Sequence, residues 1–201
     1  MKRFLLAAGL TVLVVSSAAA ASLSRTYSYF TIGGTTLEEI ENELRRRGPT
    51  VGDSGSRHPG ATRMEFKTRV TYGEQNGRCS VVEANVSLKA NMILPRWNRR
   101  GRSDEDTRLI WDTLARDIKR HEESHVVIAK NHARALEQAI RDMRRQSSCT
   151  EAAEKVKQIT ERVLAEHDRE QAEFDRIENI NFESRLLRLL KYRLQQMEAG
   201  R

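Results

Sequence analysis

A single apolar stripe through the middle of the chain constrains the fold more than any other feature. Its residues recur at intervals of three or four, the repeat of one face of an α-helix. Ser103 and the acids that follow it can cap the start of a helix. These acids also interact favourably with the positive end of the helix dipole. We therefore expect one helix from about residue 103 to about residue 146, with one face buried. The stripe comprises Trp111, Leu114, Ile118, His121, His125, Ile128, His132, Leu136, Ala139 and Met143.

More helix is expected after this one. Ser147-Ser148-Cys149 breaks the first helix, and a second long helix begins near Thr150, with Glu154 contributing to its cap. Asn179-Ile180-Asn181 is the expected interruption of this second helix. Residues 182–201 interleave leucine with arginine and form a C-terminal amphipathic extension. The amphipathic pattern favours packing on its own domain over docking on a partner or on an anionic membrane surface.

The region before the helices has the pattern of strands around one short helix. Residues from Tyr27 to Thr31 alternate as in a short strand. Thr36 and Glu39 then form a capping box, and the helix that it opens ends at Gly48-Pro49.

A β-hairpin follows. Residues from Met64 to Tyr72 alternate between apolar and polar, Asn76-Gly77 is a strong hairpin turn, and a return strand runs from Cys79 to Leu94. The pattern predicts an α+β fold in which a small antiparallel sheet with one short helix precedes the long amphipathic helices. The return strand's apolar face comprises Val82, Ala84, Val86, Leu88, Ala90, Met92 and Leu94.

The first 21 residues have the pattern of a secretory signal peptide. A basic start precedes an apolar run from Phe4 to Val15 and then a group of small residues. The apolar run is shorter than the roughly 20 residues of a membrane span. We expect cleavage after Ala20 or Ala21, a periplasmic or secreted location, and a domain over residues 22–181.

Cys79 and Cys149 are the two cysteines of the chain. An even count in an exported protein favours a disulfide, which here would close a loop of about 70 residues. The alternative is a pair of unpaired buried thiols.

The predicted central helix contains His121-Glu122-Glu123-Ser124-His125. Histidines four residues apart lie about 40° apart around a helix, so both imidazoles can reach one zinc ion. Glu122 follows the first histidine, where a carboxylate can act as general base on metal-bound water. Glu123 turns away and has no role in this scheme. The alternative is that His121 and His125 are buried, hydrogen-bonded core residues.

A catalytic zinc site usually has three protein ligands, so one more residue is needed. His132 lies about 10 Å beyond His125 along the helix axis, too far for one ion. We therefore expect His132 in the core or behind the site, and the third ligand on the second long helix. Five candidates remain open there: His167, Asp168, Glu173, Asp175 and Glu178.

Several sequence pieces also occur together in a characteristic order. They are Gly33-Gly34-Thr35-Thr36 before a helix ending in Arg47-Gly48-Pro49, a hairpin with Cys79, Leu94-Pro95-Arg96-Trp97, the stretch from His121 to Ala129, and Ser148-Cys149. In this combination the chain resembles the bacterial family of predicted secreted zinc-dependent proteases, domain of unknown function 922, up to about Asn179.

The resemblance implies a periplasmic or secreted α+β protein with a Cys79–Cys149 disulfide, zinc at His121 and His125, and Glu122 as base. Such sequences usually carry a Tyr-Asp pair, then Thr and His-Gly, near the end of the second helix. Here the pair is Phe174-Asp175, and Ile180 stands where the histidine would be. If that histidine binds metal in the family, Asp175 or Glu178 would have to replace it.

Two functions are therefore expected. The first is an exported zinc-dependent metallopeptidase that cleaves a peptide or protein substrate with metal-activated water. The alternative is a catalytically inactive zincin-like envelope protein that acts as a binding or structural partner. The moderate charge of +7 and the lack of a recognised motif argue against a nucleic-acid partner.

Overall fold

A computed structural model describes residues 21–51, 55 and 57–199 of the chain, so the predicted signal peptide lies outside it apart from Ala21. The α+β class is confirmed. The elements in chain order are β1 (Ser22–Ile32), α1 (Leu37–Arg47), β2 (Ala61–Gln75), β3 (Arg78–Trp97), a 3-10 turn (Arg100–Arg102), α2 (Glu105–Arg141) and α3 (Cys149–Ala199).

The sheet is mixed, so the prediction of an antiparallel sheet is wrong in one pair of strands. β3 lies in the centre, with β2 antiparallel on one edge and β1 parallel on the other. The predicted hairpin turn at Asn76-Gly77 is confirmed, and both residues have positive φ. Alternation of side chains identifies a strand but does not encode its direction. The direction of β1 depends on how the chain returns through α1 and β2.

Val82 departs from the predicted apolar face of β3. A register shift between Thr71 and Tyr72 leaves Val82 without a partner on β2, and its side chain is 68 % exposed. A Cβ at position 73 would lie only 2.6 Å from the Val82 side chain. Glycine at this position of β2 therefore leaves the space that the Val82 side chain occupies.

The main core lies between β3 and the two long helices. Ala84, Val86 and Leu88 alternate on one face of β3 and pack against both helices. Burying a valine or leucine side chain contributes roughly 1.5–3 kcal/mol, so this contact holds the helices on the sheet. The helix residues are Ala129, Ala133, Leu136 and Ile140 from α2, and Val156, Ile159 and Val163 from α3.

α2 ends at Arg141, five residues before its predicted end. Cys79 and Gln146 exchange two backbone hydrogen bonds of 2.8 and 3.0 Å, which draws residues after the helix against the start of β3. α3 begins at Cys149, and the Ser148 hydroxyl accepts the Glu151 N–H in place of the predicted Thr150 cap.

α3 is continuous to Ala199, so the predicted break at Asn179-Ile180-Asn181 and the separate third helix are wrong. Asparagine costs a helix only about 0.5 kcal/mol relative to better helix formers. The segment beyond it is anchored to α2, where Arg193 Nη1 donates to Thr113 Oγ1 at 2.7 Å. Tertiary contacts therefore outweigh a weak local preference.

No helix in the described part of the chain has the combination of length and apolar character needed to cross a membrane.

The predicted disulfide between Cys79 and Cys149 is confirmed. It joins the start of β3 to the start of α3 across a separation of 70 residues. The double variant Cys79→Ala/Cys149→Ala should lose about 4 kcal/mol of unfolding free energy, because the bond restricts the unfolded chain. Urea unfolding measures this difference. The reduced wild-type protein is the control and should show the same loss, whereas a loss below about 1 kcal/mol would contradict the account.

Candidate metal centre and its cleft

The two histidines of the His121-Glu-Glu-Ser-His125 segment lie in the middle of α2, on one face of the helix. Their Nε2 atoms are 3.0 Å apart, and the two rings are nearly perpendicular, at 86°. The His125 side chain is 11 % exposed and that of His121 26 % exposed. Both rings therefore point their Nε2 atoms at one partly enclosed position.

Asp175 of α3 completes a triangle of ligand atoms with these histidines. Its Oδ1 lies 3.2 Å from His121 Nε2 and 3.0 Å from His125 Nε2. A tetrahedral zinc ion with bonds of 2.0–2.1 Å separates its ligand atoms by about 3.3 Å. The three side chains therefore match the donor types and the spacing of a three-ligand zinc site.

Gln171 determines which nitrogen of His125 is free. Its Nε2 donates to the His125 carbonyl oxygen at 3.1 Å, because a carbonyl can only accept. Its Oε1 consequently faces His125 Nδ1 at 2.5 Å, and that nitrogen must carry the hydrogen. The lone pair of neutral His125 is then on Nε2, directed at the triangle. Metal-binding histidines are commonly oriented by such a bond from the other ring nitrogen.

Glu178 contacts the Nδ1 atom of His121, as Gln171 contacts the Nδ1 atom of His125. Its Oε2 lies 3.4 Å from His121 Nδ1, and Arg120 and Arg185 hold the same carboxylate. Burial opposes its ionisation, but Arg120 holds the pKa of Glu178 below its usual range. An ionised carboxylate at this position favours the hydrogen on His121 Nδ1 and leaves Nε2 free.

The pKa values of two residues of the triangle, Asp175 and His125, are shifted. Burial disfavours the charge on Asp175, yet hydrogen bonds from His121 and His125 hold its pKa far below the usual range. Burial likewise disfavours a charged His125, but its bonds to Asp175 and Gln171 raise its pKa. Without a metal ion, a proton is the cation that relieves repulsion among these converging electron pairs.

Glu122 lies beside the triangle and is 5 % exposed. Burial raises its pKa, although the Thr62 hydroxyl, which donates to Oε2 at 2.8 Å, opposes this effect. A Cβ at Gly60 would come within 2.8 Å of Oε1, so a glycine leaves room for this carboxylate. A buried carboxylate with a raised pKa has the property of a general base that works near neutral pH.

The remaining candidates lie elsewhere. Glu123 accepts hydrogen bonds from Tyr27 and Lys119, on another face of α2. His132 Nε2 contacts Glu170 at 2.7 Å. His167 is buried, with Gln171 at one ring nitrogen and Asp168 at the other. Glu173, also proposed as a third ligand, is paired with Arg176.

Phe174 and Ile180, the two positions expected to depart from the pattern of the resembling sequences, lie on different sides of α3. The Phe174 ring is 5.1 Å from each of the two histidine rings, so it supports them from α3. Ile180 is 69 % exposed, whereas Asp175 and Glu178 face the histidines. The three-atom cluster thus forms without a side chain from position 180.

A cleft of about 660 Å³ opens over the triangle. Its walls come from the segment before β2, the start of β2, α2 and α3. The apolar lining comprises Val51, Pro59, Ala61, Met64, Ile118, Ala172 and Phe182, and the polar lining includes His58, Thr62, Asp117, Gln171, Asn179 and Arg185.

Gln171, Phe182 and Arg185 were not anticipated from the sequence, whereas Asp175 and Glu178 were among the five open candidates. These five residues recur at intervals of four, three, four and three, which places them on one face of a helix. That polar periodicity was the available signal on α3. Thr62 and Gly60 had no comparable signal, because they approach Glu122 only through the packing of β2 on α2.

One family model matches the chain over residues 27–183, and its description is a bacterial protein of unknown function, DUF922. No curated protein and no solved structure matches the chain.

The pKa shifts predict opposite pH responses with and without zinc. A raised His125 pKa contributes stability that is complete below its unfolded value of about 6.5 and is lost as pH rises through the folded pKa. The lowered Asp175 pKa keeps that partner ionised over this range. The unfolding free energy of metal-free protein should therefore fall as the pH rises above about 6.5 and through the folded pKa of His125.

Stoichiometric zinc should reverse that trend, because zinc binds neutral imidazole and competes with protons. Chemical unfolding at a series of pH values, in chelator and in zinc, measures both responses. The control variant Asp175→Asn removes the main partner of His125 and should flatten the metal-free slope. An unchanged slope in this variant would show that the pH dependence does not come from the pairing of His125 with Asp175.

Proposed function

We propose that this chain, which belongs to the bacterial DUF922 family of proteins of unknown function, is an exported zinc-dependent peptidase. The observation that supports it is the convergence of His121, His125 and Asp175 within 3.0–3.2 Å of one another, with buried Glu122 beside them.

The donor set fits zinc better than a hard cation such as magnesium or calcium. Two imidazoles and one carboxylate are ligands typical of catalytic zinc, whereas magnesium and calcium prefer oxygen donors. Gln171 and Glu178 keep both Nδ1 atoms engaged, so both Nε2 lone pairs remain for the metal. With three protein ligands, a bound zinc ion would keep one coordination position for water or substrate.

When bound, zinc would polarise a peptide carbonyl and lower the pKa of an attacking water. Glu122 is the residue for proton transfer. Thr62 occupies its Oε2, so Oε1 is the oxygen that takes a proton from the water and later delivers it to the leaving amine nitrogen. Burial keeps the basicity of this carboxylate above that of an exposed glutamate.

The cleft suits a polypeptide segment with apolar side chains. Ile118, Met64 and Phe182 contribute apolar walls beside the triangle, and Val51 and Pro59 contribute another from the segment before β2. Such walls stabilise a bound substrate, because an apolar side chain placed against them is removed from water.

The proposed location is the periplasm or the exterior of the cell. The signal-peptide pattern in residues 1–21 supports export. The disulfide between Cys79 and Cys149 supports it independently, because such bonds persist mainly in oxidising compartments.

A zinc-binding protein without catalytic activity is the second candidate. Its support is the C-terminal part of α3, which exposes several large apolar side chains. Ile180 is 69 % exposed, Leu187 59 % and Tyr192 60 %. Such a surface is typical of a helix that contacts a partner protein, and a membrane surface is a less favoured alternative.

The metal assignment predicts one zinc ion per chain. Asp175→Ala should remove a ligand and reduce zinc retention as strongly as His121→Ala, because both atoms belong to the triangle. His132→Ala is the control and should retain full zinc, since that ring contacts Glu170 instead. Metal analysis after dialysis gives the result, and full zinc in both ligand variants would exclude this site.

The catalytic assignment is tested with two neighbouring glutamates. Glu122→Gln should reduce cleavage of an unfolded protein substrate by at least about 100-fold while zinc remains bound, because only proton transfer is lost. The matched control Glu123→Gln should remain active, since Glu123 is held by Tyr27 and Lys119. Zinc-loaded wild type that cleaves none of a broad set of peptides would favour the non-catalytic function.

A further inference from the structure

Four charged side chains form a network directly behind His121. Buried Asp117 accepts hydrogen bonds from Arg185 at 3.0 and 3.1 Å and from Arg120 at 3.0 Å. Both arginines also contact the Glu178 carboxylate. Glu178 in turn faces His121 Nδ1. The network therefore leads from the C-terminal part of α3 to a predicted metal ligand.

Arg185 completes the charge balance of this network. Its side chain is 15 % exposed, and the Asp117 side chain is 3 % exposed. A buried carboxylate needs compensating charge and several hydrogen bonds to remain ionised. If Arg185 were absent, Arg120 alone would serve both Asp117 and Glu178, and the Glu178 carboxylate would lose one of its two fixed positive partners.

Arg185 also lies beyond the part of the chain that the family model matches. The match ends at residue 183, two positions earlier. α3 continues through this boundary without a break, which brings Arg185 to the cleft. The segment from residue 184 to residue 199 is thus connected to the site by specific contacts.

We propose that Arg185 is a positioning residue for the zinc site, acting on His121 through Glu178. This inference rests on the zinc-binding function proposed above. Arg185 and Arg120 hold the Glu178 carboxylate at His121 Nδ1, and this contact presents His121 Nε2 to the metal. Loss of a side chain that orients a ligand typically weakens metal affinity by about 10- to 100-fold.

The experiment measures zinc affinity by competition with a chromophoric chelator. Arg185→Met should weaken zinc binding by about 10- to 100-fold, and Arg185→Lys should weaken it less. Arg193→Met is the matched control. Arg193 anchors the same segment through Thr113 and Leu109 and touches no residue of the network in the described contacts. We expect its zinc affinity to stay within about threefold of wild type.

A double variant separates positioning from general destabilisation. Glu178→Gln alone should weaken zinc binding, and adding Arg185→Met to it should cause little further loss, because Arg185 acts through Glu178. A purely structural role would give additive losses. The visible spectrum of the cobalt-substituted protein should change in both single variants and remain unchanged in Arg193→Met.

The outcomes distinguish the two proposals. Wild type that binds no zinc overturns the proposed function together with this inference. Wild type that binds zinc with Arg185→Met unchanged, or with additive losses in the double variant, overturns the role of Arg185 alone. Chemical unfolding in chelator confirms that each variant is folded, and Arg185→Lys provides the test if Arg185→Met does not fold.

Discussion

The antiparallel pairing of α2 with α3 is the interaction on which the rest of the structure depends. At one end the pair is apolar and packs on β3 through residues such as Leu136 and Val163. At the other end it is polar, where Asp117 meets Arg185 and His125 meets Gln171 and Asp175. The apolar end supplies the stability, and the polar end places charged and metal-binding groups opposite one another. The disulfide holds the start of α3 beside the sheet.

Opposite charges make the polar end of this pair compatible with burial. Asp117 and Glu178 face Arg120 and Arg185, so two acids meet two bases. The triangle differs, because it brings one carboxylate and two imidazole nitrogens together. A bound divalent cation would satisfy all three at once, and a proton can satisfy them only in part. The closeness of His121, His125 and Asp175 therefore affects metal binding, the pKa values of these groups and the packing of α2 on α3.

Much of the local structure was predictable because it depends on near neighbours. The capping box at Thr36, the turn at Asn76-Gly77 and the amphipathic stripe of α2 are all confirmed. The errors lie where distant contacts outweigh local preference. The exposed Val82, the direction of β1 and the uninterrupted α3 depend respectively on a β-bulge, on strand pairing and on contacts with α2.

The sequence alone determined the donor types and their spacing on one helix, because the α-helical repeat sets how far apart two side chains four residues apart must lie. It therefore identified His121, His125 and Glu122 as a group, and excluded His132 as an easy third ligand. Only the tertiary structure brought Asp175 into the triangle rather than His167 or Glu178, and revealed Gln171, Thr62 and Arg185. The register between α2 and α3 decides which residues meet, and that register results from core packing over the whole length of both helices.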